Sequence, residues 1–244
     1  MNKEEIIKEL TRQETTGIDR MELLKTYPEP VSRYLRHHLP EGIPQQNYSM
    51  IRMKGIIKLV NWSFFNSVLY TNPFRGLFWG ATVKMGILPV KGFDYYLDGQ
   101  GEMNWKLFNL IPVNKADGPD VSRSAEGRAK IEATFAPHTL IHPKVKWEVI
   151  SENEITASWK LKQENHPLHF VINDDGSLKS AFIQRWGNPG DSKTWEYITF
   201  GVNIQKETKH KGVIIPAKGN AGWWFDTKKY DDGEFFRFEV CGAG

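Results

Sequence analysis

The residues best suited to chemistry are two carboxylates and a histidine set among aromatic, strand-patterned segments: Asp94, Glu102 and His138. A carboxylate on an apolar strand face has a raised pKa and can take a proton near neutrality, so Asp94 is the candidate general base. His138 and Glu102 are secondary candidates for a catalytic role. The plainer reading pairs Asp94 with an arginine, Arg123 or Arg128, or with backbone donors, because buried carboxylates are ordinarily satisfied. Other chemistries find less to work with. His138 and His142 have HxxxH spacing, but prolines flank the pair and no Glu stands beside the first histidine, so no zinc helix is expected. His37 and His38, adjacent on a helix, point about 100° apart and read as solvated or capping residues. There is no GxSxG elbow, and Gly99-Gln100-Gly101 leads into a strand rather than a helix, which removes a phosphate loop. No metal and no cofactor are expected.

A second set of residues suggests binding rather than reaction. Nine Trp and fourteen Phe exceed what a minimal core requires, and they fall on strand-patterned segments. Trp62, Phe65, Phe78, Trp79 and Tyr96 in the first half are candidates to line a ligand site, together with Met103 and Trp105. Trp186, Trp195 and Trp223 are the candidates in the second half. The competing reading is that these aromatic residues fill a solid core.

The elements that must position these residues centre on 78–113. Asp98-Gly99-Gln100-Gly101, between two aromatic runs, is a strong hairpin signal. With Gly99 and Gln100 as the turn, Tyr96 faces Met103 and Asp94 faces Trp105. The period-2 rule then puts Asp94, Tyr96, Met103, Trp105 and Leu107 on one face. Two short amphipathic helices precede Tyr27-Pro28, and a third lies between Pro30 and Pro40. A strand spans 48–60. Residues 61–78 are too densely apolar for a clean period and read as strand and loop, or as a flap. Ser122 or Ser124 caps a helix that runs to about Phe135. Beyond it, strands are expected at 145–150, 154–163, 167–172, 177–186, 194–200, 202–208, 213–218, 222–227 and 234–240, with short connections that imply a meander.

Composition bounds the function. At 244 residues with a formal charge of +3 and scattered basic residues, the chain lacks the footprint of a nucleic-acid binder. Cys241 is the single cysteine, which excludes an intramolecular disulfide. No segment approaches the ~18 apolar residues of a membrane span, and no signal peptide is visible, so the chain as written reads as cytoplasmic unless a leader has been trimmed. Residues 1–27 form an N-terminal helical segment, and 28–240 form a single antiparallel β domain with an inserted helix near 121–136.

At Pro30-x-x-x-Tyr34-Leu35 and Leu39-Pro40, then Gly86-x-Leu88-Pro89-Val90, Asp94-x-Tyr96-x-x-Gly99-x-Gly101-x-Met103, Ile111-Pro112-Val113 and Gly118-Pro119, the sequence resembles an uncharacterised bacterial domain-of-unknown-function family. The resemblance covers roughly 28–240 and supplies no catalytic residues. The architecture also looks like the lipoprotein-localisation-factor class, LolA and LolB, in which a curved antiparallel sheet forms an open half-barrel around helices and holds acyl chains. The expected fold is therefore mainly β with some α: a large curved antiparallel sheet or open half-barrel, with short helices packed on one face. The expected function is non-catalytic binding or carriage of a hydrophobic, lipid-like or aromatic ligand. The alternative is a cofactor-independent isomerase, cyclase or hydrolase using Asp94. The oligomeric state is not readable from the sequence.

Overall fold

From Ser49 onward, runs of alternating burial pair with their neighbours in sequence, and the computed structural model shows the result as one antiparallel sheet. It describes residues 1–13, 17, 19–190 and 194–243. Three helices come first: α1 (Lys3–Leu10), α2 (Arg20–Lys25) and α3 (Glu29–His38). The first meander is β1 (Ser49–Lys58), β2 (Trp62–Asn72), β3 (Gly76–Met85), β4 (Leu88–Leu97), β5 (Gln100–Leu107) and β6 (Ile111–Ala116). Helix α4 (Pro119–Ile131) and two 3-10 turns, Glu132–Phe135 and Pro137–Leu140, cross to the second meander. That meander is β7 (Lys146–Ser151), β8 (Glu154–Ser158), β9 (Leu168–Ile172), β10 (Leu178–Gly187), β11 (Glu196–His210), β12 (Val213–Trp223), the short α5 (Tyr230–Gly233) and β13 (Glu234–Ala243).

The strand order is β6-β5-β4-β3-β2-β1-β13-β12-β11-β10-β9-β8-β7, a curved sheet of thirteen strands that does not close. Its two edges, β6 and β7, are consecutive in the chain, and α4 spans between them. The main core lies on the inner face, where α3, α4 and the 3-10 turns meet residues such as Leu69, Trp79, Phe170 and Ile183. On the opposite face, Ile6 and Leu10 of α1 pack against Phe78, Tyr95 and Leu97. Asn2 caps α1 by accepting from the Glu5 N–H at 2.9 Å, and the Glu5 carboxylate in turn accepts from the Asn2 N–H at 3.0 Å. Among the described residues no helix is long and apolar enough to cross a membrane.

Several local expectations are corrected. The β4–β5 turn is Asp98-Gly99, both at positive φ, so Asp94 pairs with Met103 and Gly92 with Trp105. A shift of two positions keeps every side chain on its predicted face. For residues 61–78 the structure decides for strand and loop over a flap: they hold β2, a turn, and the start of β3, and the period is blurred because β2 carries aromatic residues on both faces, with Phe65 buried and Phe64 exposed. The breaks expected near Gly201 and Gly219 are absent, so β11 and β12 are long single strands. Glycine serves there for close approach: a Cβ on Gly201 would sit 2.2 Å from the Phe225 ring, and one on Gly219 would sit 2.4 Å from the Asn203 carbonyl. Helix α4 begins earlier than expected, at Pro119 behind Gly118 with φ 105°, so Ser122 lies inside it. His38 is fully buried: its Nδ1 lies 2.7 Å from the Ile214 carbonyl, while the His37 Nε2 lies 2.7 Å from a Glu207 carboxylate oxygen, so the pair ties α3 to the sheet.

Candidate functional site

Between the inner face of the sheet and α4 lies a cavity of about 510 Å³. Both meanders supply its walls: Trp79, Met103 and Trp105 from the first, Phe200, Trp223 and Phe236 from the second. Gly92 leaves the space in which Trp105 lies, since a Cβ there would stand 2.5 Å from the indole. The Trp79 and Trp105 rings are 5.6 Å apart.

A charged cluster interrupts this apolar lining. Arg128 of α4 pairs with Asp94 at 2.8 Å and with Glu132 at 3.2 Å, and its guanidinium lies over the Trp79 ring at 4.9 Å. The Trp105 Nε1–H donates to the other Asp94 oxygen at 2.8 Å, so both oxygens of that carboxylate are engaged. Burial raises the pKa values of Asp94 and Glu132, and the Arg128 charge opposes the rise in each. Arg185 of β10 also borders the cavity. It donates from Nε to the Ser124 carbonyl at 3.0 Å and from Nη2 to the Ser124 hydroxyl at 3.3 Å, and it lies 4.8 Å from both the Phe200 and Trp223 rings. Burial and the neighbouring Arg128 charge push its pKa down to about 9.

Helix α4 is held at the cavity by a buried carboxylate. Glu126 Oε1 accepts the backbone N–H groups of Lys162, Gln163 and Glu164 at 2.8, 2.9 and 2.8 Å, and its Oε2 accepts the Tyr96 hydroxyl at 2.6 Å. Gly101 allows close approach, because its N–H reaches the Ser122 hydroxyl at 2.9 Å and a Cβ there would meet Ala125 and Ser122 at 2.9 Å.

The residues singled out from the sequence divide as follows. Asp94, Trp79, Met103, Trp105, Trp195, Trp223 and Glu102 border the cavity. Glu102 pairs in register with Tyr95 and accepts from Asn104 at 3.2 Å. Phe65 stands behind the wall, stacked on Phe236 at 4.8 Å, and Tyr96 is taken up in holding Glu126. Phe78 lies under α1 on the opposite face. Trp62 is partly exposed beneath Arg237, and Trp186 donates to Asp120 at 2.8 Å with Arg123 over its ring. His138 is buried beside a different cavity of about 330 Å³, which it shares with His210, Phe135 and Ile51, and burial pushes its pKa down to about 4.

Glu132, Arg185, Phe200 and Phe236 were not singled out. The signal for Arg185 was its parity, since it follows Ala181 and Ile183 on the buried face of β10.

Three solved structures are similar to the chain over most of its length. A DUF1329 family protein from Desulfovibrio piger has 9% identity, covering 88% of this chain and 90% of its own, with a TM-score of 0.46. A domain described as an outer-membrane lipoprotein-sorting protein from Vibrio parahaemolyticus has 9% identity, 93% coverage of each chain and a TM-score of 0.45. A LolA superfamily protein from Nitrosomonas europaea has 6% identity, 93% coverage of each chain and a TM-score of 0.45. No curated protein matches the sequence. A profile described as a family of unknown function, DUF6920, matches residues 25–243, and the chain belongs to that family.

Proposed function

We propose that this protein is a non-catalytic binder or carrier of a small amphiphile, held with its apolar part against the aromatic walls and its polar end toward Arg185. The observation that carries this reading is the cavity itself. About 510 Å³ falls within the ~300–1,000 Å³ of ligand sites, and the lining is mostly apolar, with one charged cluster at α4 and with Lys58 and Glu102 also on its border. Within that cluster Arg128 holds Asp94 and Glu132 directly, while Arg185 donates to Ser124 and senses the Asp94 and Glu132 charges only at longer range. A guanidinium that no carboxylate contacts directly favours a closer anionic partner, which supports a carboxylate or phosphate as the ligand's polar end.

A general-base role for Asp94 is the weaker reading. Its raised pKa favours such a role, but its two oxygens are engaged by Arg128 and Trp105.

Native mass spectrometry of freshly purified protein, followed by organic extraction, tests the proposal. A stoichiometric bound amphiphile is expected. Protein that is empty, and that fails to bind either an apolar fluorophore or dodecanoate, would remove the reading.

A further inference from the structure

The first meander has three hairpin turns at one end: residues 59–61, 86–87 and 108–110. The intervening turns, 73–75 and 98–99, lie at the other end, because strands that alternate in direction send every second turn the same way. Exposed apolar residues collect at the first end. Val60 is 83% exposed, Ile87 96% and Leu110 78%. Of the fifteen large apolar side chains exposed among the described residues, eleven lie on these three hairpin ends, so they form a set rather than the usual single scatter.

Charge is equally uneven. Residues 54–66, 82–93 and 104–114 contain Lys54, Lys58, Lys84, Lys91 and Lys106 and no acidic residue, in a chain whose totals are nearly balanced at 32 basic and 29 acidic. All of these lysines except the half-buried Lys106 are exposed. The same end opens onto the cavity, since Lys58, Leu59, Met85 and Val113 are among the residues that border it.

We propose that the three hairpin tips insert into the headgroup region of a bilayer carrying anionic lipid, which brings the mouth of the cavity to the lipid surface. Separate apolar tips backed by lysines suit an interface whose outer layer is negative and whose inner layer is hydrocarbon. A protein partner fits less well, because lysine is depleted from the cores of protein interfaces. The surface role stands on exposure and charge alone. Only the further step, that ligand passes between bilayer and cavity, rests on the binding reading.

Vesicle flotation tests it, using phosphatidylcholine vesicles with and without phosphatidylglycerol. The protein is expected to float with the anionic vesicles, less so at high salt, and the emission of Trp62 beside the first tip should shift to the blue. The triple variant Val60→Ser, Ile87→Ser, Leu110→Ser changes only exposed side chains and should bind at least about tenfold more weakly. The variant Lys58→Glu, Lys84→Glu, Lys91→Glu should lose the preference for anionic lipid.

Failure of the parent protein to float, or unchanged flotation of the serine variant, would overturn the proposal. So would a dimer seen by light scattering that the serine variant dissolves, if no vesicle binding accompanies it, since the tips would then join two copies of the chain. Fluorophore binding in the cavity is measured separately without vesicles, so loss of one activity is distinguished from loss of the other.

Discussion

Arg128 and Arg185 border the same cavity but are used differently. Arg128 ties Asp94 and Glu132 together, and its removal would leave two buried carboxylates short of a partner. Arg185 bonds Ser124 and lies against two rings, so Arg185→Met keeps the packing and removes the charge. We expect dodecanoate to bind about ten- to a hundredfold more weakly to this variant with dodecanol unchanged, as befits loss of one charge-assisted contact. Equal loss of both in fluorophore-displacement titrations would reduce Arg185 to a wall residue. Asp94 and its Arg128 partner were legible in the sequence, whereas Arg185 was not, because an arginine on a strand ordinarily faces water and only its parity with Ala181 and Ile183 turns it inward.

Two histidines give the fold a pH dependence. Burial pushes the pKa values of His38 and His138 from 6.5 down to about 4. Between pH 6.5 and 4 the unfolded chain binds protons at these sites that the folded chain does not, so stability falls as pH is lowered through that window. Each contributes up to about 1.4 kcal/mol per pH unit. Thermal unfolding should therefore occur at lower temperature at pH 5 than at pH 7, and His138→Gln should flatten the dependence. An unchanged slope in that variant would assign the effect to other groups.

At the scale of elements, α4 is the piece on which the cavity depends. It is pinned by Glu126 beneath and by the contact at Gly101 beside it, so the gap it leaves above Trp79 and Trp105 is set both by a buried carboxylate and by close backbone approach. Gly101→Val would push Ala125 and Ser122 away. The expected cost is about 1–3 kcal/mol, as for other overpacked sites, and is read as a lower urea midpoint, with weaker fluorophore binding. Full stability and binding would show that α4 tolerates the shift.

The helix itself was legible from its apolar spacing, but its start was not, because Gly118-Pro119 reads locally as a break while Ser122 and Ser124 read as caps. The long strands β11 and β12 were less so, because glycine reads locally as a break, and whether it ends a strand or admits a ring such as Phe225 depends on a residue far away in sequence.

At the scale of the whole molecule, the sequence supported an open antiparallel sheet with an aromatic inner face, because alternation and short turns are local properties. It could not supply the strand order. Neighbouring strands pair with neighbours everywhere except at one seam, where β1 meets β13, and that pairing joins residues such as Ile51 and Ala243 from opposite ends of the chain. Nor could it show that the exposed apolar tips share one end, which follows only once the direction of each strand is known.

The seam also governs how the chain can be assembled. During synthesis from the N-terminus, the first six strands can pair as soon as they emerge, and the last seven can do the same later. The two halves cannot be stitched together until β13 is free, so β1 must wait with one side unpaired while every other strand of the sheet is made. Its partner there, β13, is the last of the thirteen strands in chain order.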